Sequence, residues 1–415
     1  MMNTKLAFGT YRTGLDDPEH EAALTLALKE GIRLIDTSTN YMNGDAERLI
    51  AKVIDEVYGG HKPDDLEIVS KCGYIQGSLL EEVKKNEEMI EALDIVKYNE
   101  ACYHSIHPGF IKAELNKSLE RLNLKQIDRY LLHNPEYYLM YSIKDESQKA
   151  EAQMIMLDRI LDAFMLLEQE VKEGRIGSYG ISSNSFSLNA DALYFMPYED
   201  LISLATKAAF EVGNVNHHFT TLQMPINLLE KEGLACAHWA KTNGLRVLAN
   251  RPLNASKDNL MFRLTSNDEP KEYFALLNEA LSFLEEVKAD SIFNIIGELD
   301  NYKHRFGWVG EYQNFLMSKV IPHIRQELIK IEDVYSRENI SKLLMDFFIS
   351  YEEMVKYECS KQTRSMLEHS GIEIKKTIQE TALNDLINNA DIDYILIGMR
   401  KTKYVNELIN MRGYK

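Results

Sequence analysis

Short apolar runs alternate with longer amphipathic stretches along the whole chain. The runs predict buried strands at Leu6–Phe8, Ile32–Asp36, Leu66–Lys71, Ile127–His133, Ile176–Ile181, Thr220–Met224, Arg246–Asn250 and Tyr394–Gly398. Apolar residues at helical spacing predict helices at His20–Glu30, Glu47–Tyr58, Phe110–Leu122, Gln153–Glu173, Leu228–Thr242 and Thr377–Ala390. Regular alternation of strand and helix indicates βαβ units and therefore a parallel sheet.

Eight predicted strands fit two architectures, a closed barrel and an open doubly wound sheet. No GxGxxG sequence follows the first predicted strand. That motif opens the dinucleotide-binding form of the open sheet, so its absence disfavours a Rossmann fold.

Two stretches are longer than ordinary connections between strand and helix. They predict insertions at about residues 74–107 and 256–376 in an otherwise single domain that spans residues 1–415. The first contains a charged helical pattern. The second is rich in aromatic and apolar residues, which predicts a largely helical insertion after the seventh strand.

Composition excludes several classes of function. The chain has 415 residues, 45% of them hydrophobic, and a formal net charge of -17, which argues against binding along a nucleic-acid backbone. The N-terminal segment lacks the basic and apolar regions of a secretory signal, and no long uninterrupted apolar run predicts a membrane span. Four scattered cysteines without a CxxC pair fit reduced thiols. We expect a cytoplasmic enzyme.

Ionisable residues end three consecutive predicted strands. Asp36, Lys71 and His133 hold these positions, and Tyr41 follows Asp36 by five residues on a polar turn. Each has a structural alternative, namely a turn cap, a buried ion pair, a buried histidine and a partly buried aromatic. Because the carboxyl ends of parallel strands converge on one face, we expect the four to lie together. In that arrangement Asp36 keeps Lys71 charged, and the cation is predicted to lower the pKa of Tyr41.

The motifs that carry these residues resemble those of the aldo-keto reductase family. They are DTSTNY, the Lys of VSKCGY and the His of YLLHNPE, followed by GISSNSF, LQMPINLLE, ANRPLNA and DYILIGMRKTKYVNEL in the family's order. The resemblance covers nearly the whole chain apart from the two insertions. It implies a (β/α)8 TIM barrel, here with a long, mostly helical insertion between strand 7 and strand 8.

The resemblance also implies an activity and a set of site residues. Tyr41 would be the general acid in the reduction of an aldehyde or ketone to an alcohol, or in the reverse reaction. Lys71 and Asp36 would tune Tyr41, and His133 would orient the carbonyl. The cofactor would be NADPH or NADH.

Further positions match the family's cofactor-binding segments. Ser182 or Ser183, with Asn184 and Gln223, would hold the nicotinamide carboxamide, and Leu253 would cover the pyrophosphate. The adenosine phosphate would lie against Gly398, Arg400, Lys401 and Lys403. Three cations before a helix can form an anion site together with the helix N-terminal amides, which favours NADP, with NAD as the alternative.

One position departs from the family's pattern. Asn250 stands where many members place an aromatic side chain that stacks on the nicotinamide, and the neighbouring Arg251 could contact phosphate or substrate instead. This departure motivates an alternative function, a barrel that senses nicotinamide nucleotide or binds a partner without rapid turnover. A third hypothesis is an unrelated hydrolase that uses Asp36 and His133 as an acid–base pair.

Two histidine pairs could suggest a metal site. His104 with His107, and His217 with His218, lack a matching cysteine or carboxylate pattern, so we predict no metal. The predicted ligands are therefore a nicotinamide nucleotide and a small carbonyl or alcohol. The sequence predicts neither the particular substrate nor the oligomeric state.

Overall fold

The computed structural model describes residues 5–257 and 260–411. Residues 1–4, 258–259 and 412–415 lie outside the described part, among them the start of the N-terminal segment and two positions of the long insertion. The described residues form two compact units, one from residues 5–252 with 386–411 and the other from residues 253–385. Each unit is described by itself below.

The secondary structure follows the predicted alternation closely. The strands are β1 (Leu6–Gly9), β2 (Leu34–Asp36), β3 (Glu67–Cys72), β4 (Tyr74–Ile75), β5 (Val96–Asn99), β6 (Cys102–His104), β7 (Ile127–His133), β8 (Ile176–Ser182), β9 (Phe219–Pro225), β10 (Arg246–Asn250), β11 (Asn254–Lys257), β12 (Leu260–Arg263) and β13 (Tyr394–Gly398).

The α-helices are α1 (Pro18–Lys29), α2 (Asp45–Tyr58), α3 (Gly77–Val83), α4 (Glu87–Ala92), α5 (Pro108–Leu122), α6 (Tyr137–Ser142), α7 (Lys149–Lys172), α8 (Leu201–Val212), α9 (Gly233–Thr242), α10 (Tyr273–Glu286), α11 (Asp290–Tyr302), α12 (Val309–Phe315), α13 (Ile321–Ile329), α14 (Val334–His369), α15 (Ile378–Ile387) and α16 (Thr402–Met411).

Eight parallel strands close into a barrel in the order β1-β13-β10-β9-β8-β7-β3-β2. Closure decides between the two architectures that the sequence allowed and confirms the predicted (β/α)8 barrel. Apolar side chains from six of the strands pack into a common cluster: Ala7, Leu34, Val69, Leu131, Leu248 and Leu396. The mostly helical segment between β10 and β13, the seventh and eighth barrel strands, is also confirmed.

Two helices of the first unit differ from the sequence predictions. Helix α8 was not predicted, although Leu201, Ala205, Ala208 and Ala209 bury one of its faces. Helix α9 begins at Gly233, five residues later than predicted. The side chain of Asn227 accepts hydrogen bonds from the amides of Leu229 and Glu230, which holds the preceding residues in a turn.

The stretch of residues 74–107 is more than the predicted charged helix. Its helical pattern divides into α3 and α4, and β4, β6 and β5 form a small antiparallel sheet. The sheet and helices enclose their own apolar cluster of Ile75, Leu80, Val83, Ile95 and Phe110. The tip of β3 leads directly into this sheet through Gly73.

The second unit has a separate core. Strands β11 and β12 pair antiparallel, and α10, α11 and α14 contribute buried aromatic and aliphatic residues, among them Tyr273, Ile296, Phe347 and Tyr351. The prediction that residues 1–415 make a single domain stays a prediction. Among the described residues, no helix is both long and apolar enough to cross a membrane.

Candidate active site

A buried ion pair lies at the carboxyl ends of β2 and β3. Lys71 Nζ is 2.7 Å from Asp36 Oδ1 and also donates to the carbonyl oxygen of Thr37 at 2.7 Å. The Lys71 side chain is fully buried and that of Asp36 is 6% exposed. Burial lowers the pKa of the Lys71 ammonium, while the charge of Asp36 opposes that shift. The predicted pairing of these strand ends is therefore present.

Tyr41 begins a tight turn beside this pair. The following residues, Met42 and Asn43, have φ values of 50° and 53°, a left-handed backbone that costs energy for non-glycine residues. The turn brings the Tyr41 ring centroid to 5.2 Å from Lys71 Nζ. Desolvation, with the charge of Asp36 second, raises the pKa of Tyr41 well above its ordinary value. The direction of this pKa shift is thus opposite to the predicted lowering, and burial is its largest cause.

His133 ends β7 and also lies near Tyr41. The two ring centroids are 6.1 Å apart, and His133 Nδ1 lies 3.1 Å from Ser38 Oγ. Burial, reinforced by the Lys71 charge, holds the pKa of His133 well below its usual value, so the imidazole is neutral. Within the described residues no hydrogen bond joins His133 to Asp36, whose Oδ1 accepts from Lys71 and Gln223 instead.

Gln223, on β9, links the ion pair of β2 and β3 to strands on the other side of the barrel. Its Nε2 donates to Asp36 Oδ1 at 2.7 Å, and its Oε1 accepts from Ser182 Oγ at 2.8 Å. Asn250 Nδ2 is 3.4 Å from the same oxygen of Gln223. The Oδ1 atom of Asn250 is buried without a hydrogen-bond partner. Four of the predicted site residues, Asp36, Ser182, Gln223 and Asn250, are thus connected by hydrogen bonds.

The turn after β8 is held by a carboxylate that the sequence prediction missed. Ser183 is buried, whereas Asn184 is exposed. The amide of Asn184 donates to Glu136 Oε1 at 2.9 Å. Glu136 lies three residues after His133 and is fully buried. The only sequence signal for it was its place beside a strand end.

His104, Tyr74 and Tyr137, to which the sequence analysis gave no role in the active site, surround His133. His104 Nε2 donates to the carbonyl oxygen of His133 at 2.7 Å, and its ring stacks on Tyr137 at 5.2 Å. The Tyr74 ring meets the His133 ring edge-on at 4.6 Å. Burial lowers the pKa of His104 to about 4, which keeps the ring neutral. His104 thus serves a structural contact, and no group of three potential metal ligands occurs in residues 5–257 and 260–411.

The predicted phosphate-binding residues follow β13. Gly398 and Lys401 are exposed, Arg400 is half-buried, and Lys403 Nζ lies 3.8 Å from Glu407. The amide and hydroxyl of Thr402, which begins α16, both donate to Glu19 Oε1, at 2.7 and 2.6 Å. One of the helix N-terminal donors predicted for an anion is therefore already paired with a carboxylate.

The two remaining predicted positions, Arg251 and Leu253, have other contacts. The guanidinium of Arg251 is 3.4 Å from Glu230 Oε1, and its backbone is left-handed with φ 53°. Leu253 belongs to the second unit, where its carbonyl oxygen accepts from the amide of Leu264 at 2.9 Å.

A sequence model described as the Aldo/keto reductase family matches residues 5–288, more than half of the chain. The chain belongs to the aldo/keto reductase family. This confirms the resemblance that the sequence motifs indicated. Family membership implies carbonyl reduction with a nicotinamide nucleotide. No curated protein matches the chain significantly.

A solved structure agrees with the fold of this aldo/keto reductase. An aldo-keto reductase from Bacillus halodurans, in its holo form, is 13% identical, with a TM-score of 0.52 over 99% of this chain and 87% of that one. A glycerol dehydrogenase from Gluconobacter oxydans is 17% identical, with a TM-score of 0.49 over 100% of this chain and 88% of that one. At 13% identity, the likeness to the Bacillus halodurans structure shows a shared fold and nothing more.

The polar side chains of Ser182, Gln223 and Asn250 fit the carboxamide of a nicotinamide in their chemistry. A carboxamide both donates and accepts hydrogen bonds, and Ser182, Gln223 and Asn250 offer both kinds of partner. The buried Asn250 Oδ1 has no donor of its own in the described structure. Such an orphaned acceptor costs free energy unless a ligand or water satisfies it.

Proposed function

We propose that this protein is an NAD(P)H-dependent oxidoreductase that reduces an aldehyde or ketone to an alcohol, or catalyses the reverse reaction. The observation that carries the proposal is the chain of contacts from Lys71 through Asp36 to Gln223, beside Tyr41 and His133. This chain of contacts joins a proton-donating group to a carboxamide-binding group across the barrel, from β2 and β3 to β9.

Tyr41 is the proton donor in this proposal. Its raised pKa keeps the phenol protonated at neutral pH, as a general acid requires. When the substrate oxygen takes the proton, the ammonium of Lys71 stabilises the tyrosinate that remains. Asp36 holds Lys71 in place, so the pair acts on the phenol through Lys71.

His133 positions the carbonyl oxygen. His133 Nδ1 lies 3.1 Å from Ser38 Oγ, and in the tautomer that carries its hydrogen on Nε2 the ring donates to the substrate oxygen. The neutral state of the ring suits this role, because an imidazolium would compete with Tyr41 as the acid.

The nicotinamide nucleotide, when bound, supplies or accepts the hydride. Ser182, Ser183, Asn184, Gln223 and Asn250 would hold its carboxamide. Leu253 would cover its pyrophosphate, and Arg251 would contact phosphate or substrate. Gly398, Arg400, Lys401 and Lys403 would contact the adenosine phosphate, with NADP favoured by the three cations and NAD as the alternative.

Nucleotide titration followed by a substrate panel tests the proposal. We expect NADPH or NADH to quench the intrinsic fluorescence with saturation, and reduced nucleotide to be consumed when aldehydes or ketones are added. Absence of saturable binding of either nucleotide would overturn the proposal.

A second candidate function rests on Asn250. An amide cannot stack on nicotinamide as an aromatic ring does, which favours a barrel that binds nucleotide as a signal and turns over slowly. Saturable nucleotide binding with no consumption over a broad panel of aldehydes, ketones and alcohols would favour this function.

A further inference from the structure

Glu136 is a buried carboxyl group that the reaction itself does not use. Its side chain is fully buried in the turn after β7, and its Oε1 accepts the Asn184 amide at 2.9 Å. The hydroxyl of Ser183 and the amide of Ser185 also face the carboxyl group. Its second oxygen, Oε2, is buried without a hydrogen-bond partner.

These contacts join the turns that follow two neighbouring barrel strands. The turn after β7 carries His133 and Glu136, and the turn after β8 runs from Ser183 to Ser185. A backbone bond from the amide of Asn134 to the carbonyl oxygen of Ser182, 2.7 Å long, makes the same connection. The side chain of Glu136 is therefore the only described side chain whose contacts fix the backbone amide of Asn184.

Burial and hydrogen bonding have opposite effects on the pKa of Glu136. Burial raises the pKa of Glu136 to about 7, and the surrounding hydrogen-bond donors limit the shift by favouring the ionised form. The titratable groups that its charge reaches are the phenols of Tyr74 on β4 and Tyr137 on α6, both neutral near pH 7. The carboxyl group therefore changes charge in the neutral range while its neighbours do not.

We propose that Glu136 is a positioning residue that, when ionised, fixes the turn of Ser183–Ser185 for nucleotide binding, and that its protonation loosens this turn. The carboxylate is a stronger acceptor than the neutral acid, so protonation weakens the bond from the Asn184 amide. The inference rests on the proposed function, since it assigns this turn to the nicotinamide nucleotide. Nucleotide affinity should consequently depend on pH.

Amide hydrogen exchange in the nucleotide-free protein tests the first half of the inference. Protection of Asn184, corrected for intrinsic exchange, is measured from about pH 5.5 to about 8.5 in the wild type, Glu136→Gln and Glu136→Ala. We expect wild-type protection to rise with pH around neutrality. Glu136→Gln should show the low-pH wild-type value throughout, and Glu136→Ala should lose protection at every pH.

Affinity for NADH over the same pH range tests the second half. NADH is the probe because it lacks the 2′-phosphate, which itself titrates near neutrality. If only the ionised form is competent, the wild-type Kd should weaken about tenfold between about pH 8 and about pH 6. Glu136→Gln should give a flat profile. Glu170→Gln, which removes another fully buried carboxyl group outside this turn, is the matched control and should keep the wild-type profile.

The two failures are distinguishable. Wild-type pH dependence of exchange and affinity that persists in Glu136→Gln would overturn the inference and leave the proposed function intact. Failure of the wild type to bind NADH or NADPH at any pH would overturn both the proposed function and the nucleotide half of the inference. The exchange profiles alone then decide whether Glu136 fixes the turn.

Discussion

The buried ion pair of Asp36 and Lys71 allows a quantitative prediction about the barrel. Unit charges 2.7 Å apart attract each other by about 6 kcal/mol at an effective dielectric constant of about 20. Desolvation of both groups offsets much of this attraction, so the pair contributes little net stability. Removing one partner leaves the other charge buried. Each single variant, Lys71→Met or Asp36→Asn, should therefore destabilise the barrel by about 3–5 kcal/mol.

The double variant should cost much less than the sum of the two. With both charges gone, no uncompensated ion remains in the site, and the amide that replaces Asp36 can still accept from Gln223. A double-mutant cycle should thus give a coupling energy of several kcal/mol, on the order of 3. The carbonyl-reducing activity should be lost in all three variants.

Chemical denaturation can report on the barrel alone. The chain has two tryptophans, Trp239 on α9 of the first unit and Trp308 in the second. In a Trp308→Phe background, fluorescence follows Trp239 and therefore the barrel. Stability losses that simply add in the double variant would refute the claim that the two residues form a coupled buried pair.

Three further predictions concern residues around the pair. A methyl group at Gly73 would lie 2.5 Å from the carbonyl oxygen of His133, so Gly73→Ala should displace that strand end and lower kcat/KM at least about tenfold, with the nucleotide Kd nearly unchanged. Glu19→Gln removes the carboxylate that pairs with Thr402, and titrations should show NADPH binding a few-fold more tightly while NADH binding does not change. Burial raises the pKa of Glu136 in the folded protein from its ordinary 4.5 to about 7. The free energy of unfolding should therefore fall by about 3 kcal/mol as the pH rises from about 4.5 to about 7, because the unfolded chain loses this proton first. Denaturation of Glu136→Gln should lack this pH dependence.

The first two of these predictions have matched controls, and the third has a contrary outcome. Gly174→Ala meets no atom within 4 Å, so it should leave kcat/KM intact; an equal loss there would point to a general glycine effect. Glu21→Gln removes a neighbouring carboxylate on α1 that pairs with Lys52 and should not alter NADPH binding. An unchanged pH slope in Glu136→Gln would mean that another group titrates.

Much of the barrel could be predicted from the sequence because its strands are short and apolar. The predicted strand at Ile127–His133 agrees with β7 residue for residue, since both of its ends are marked by polar residues. Asp36 and Lys71 were found for the same reason, because each is the ionisable residue at the end of such a run. Strand β4, by contrast, has two residues and gives no periodic signal.

The missed features depend on tertiary contacts. His104 and His133 are 29 residues apart, and their hydrogen bond requires the close approach of Gly73, which no local pattern encodes. The direction of the Tyr41 pKa shift depends on how deeply the phenol is buried and on the nearby charge of Asp36. Only the folded geometry contains that information.

The central claim is that Tyr41 protonates a carbonyl oxygen during nicotinamide-dependent reduction. Its most direct test is single-turnover oxidation of bound NADPH or NADH by a substrate found in the panel, with wild type and Tyr41→Phe compared at saturating nucleotide. We predict that the nucleotide Kd changes little while the rate of oxidation falls by about 10²–10⁴. A rate within a few-fold of the wild type would contradict the assignment of Tyr41 as the acid.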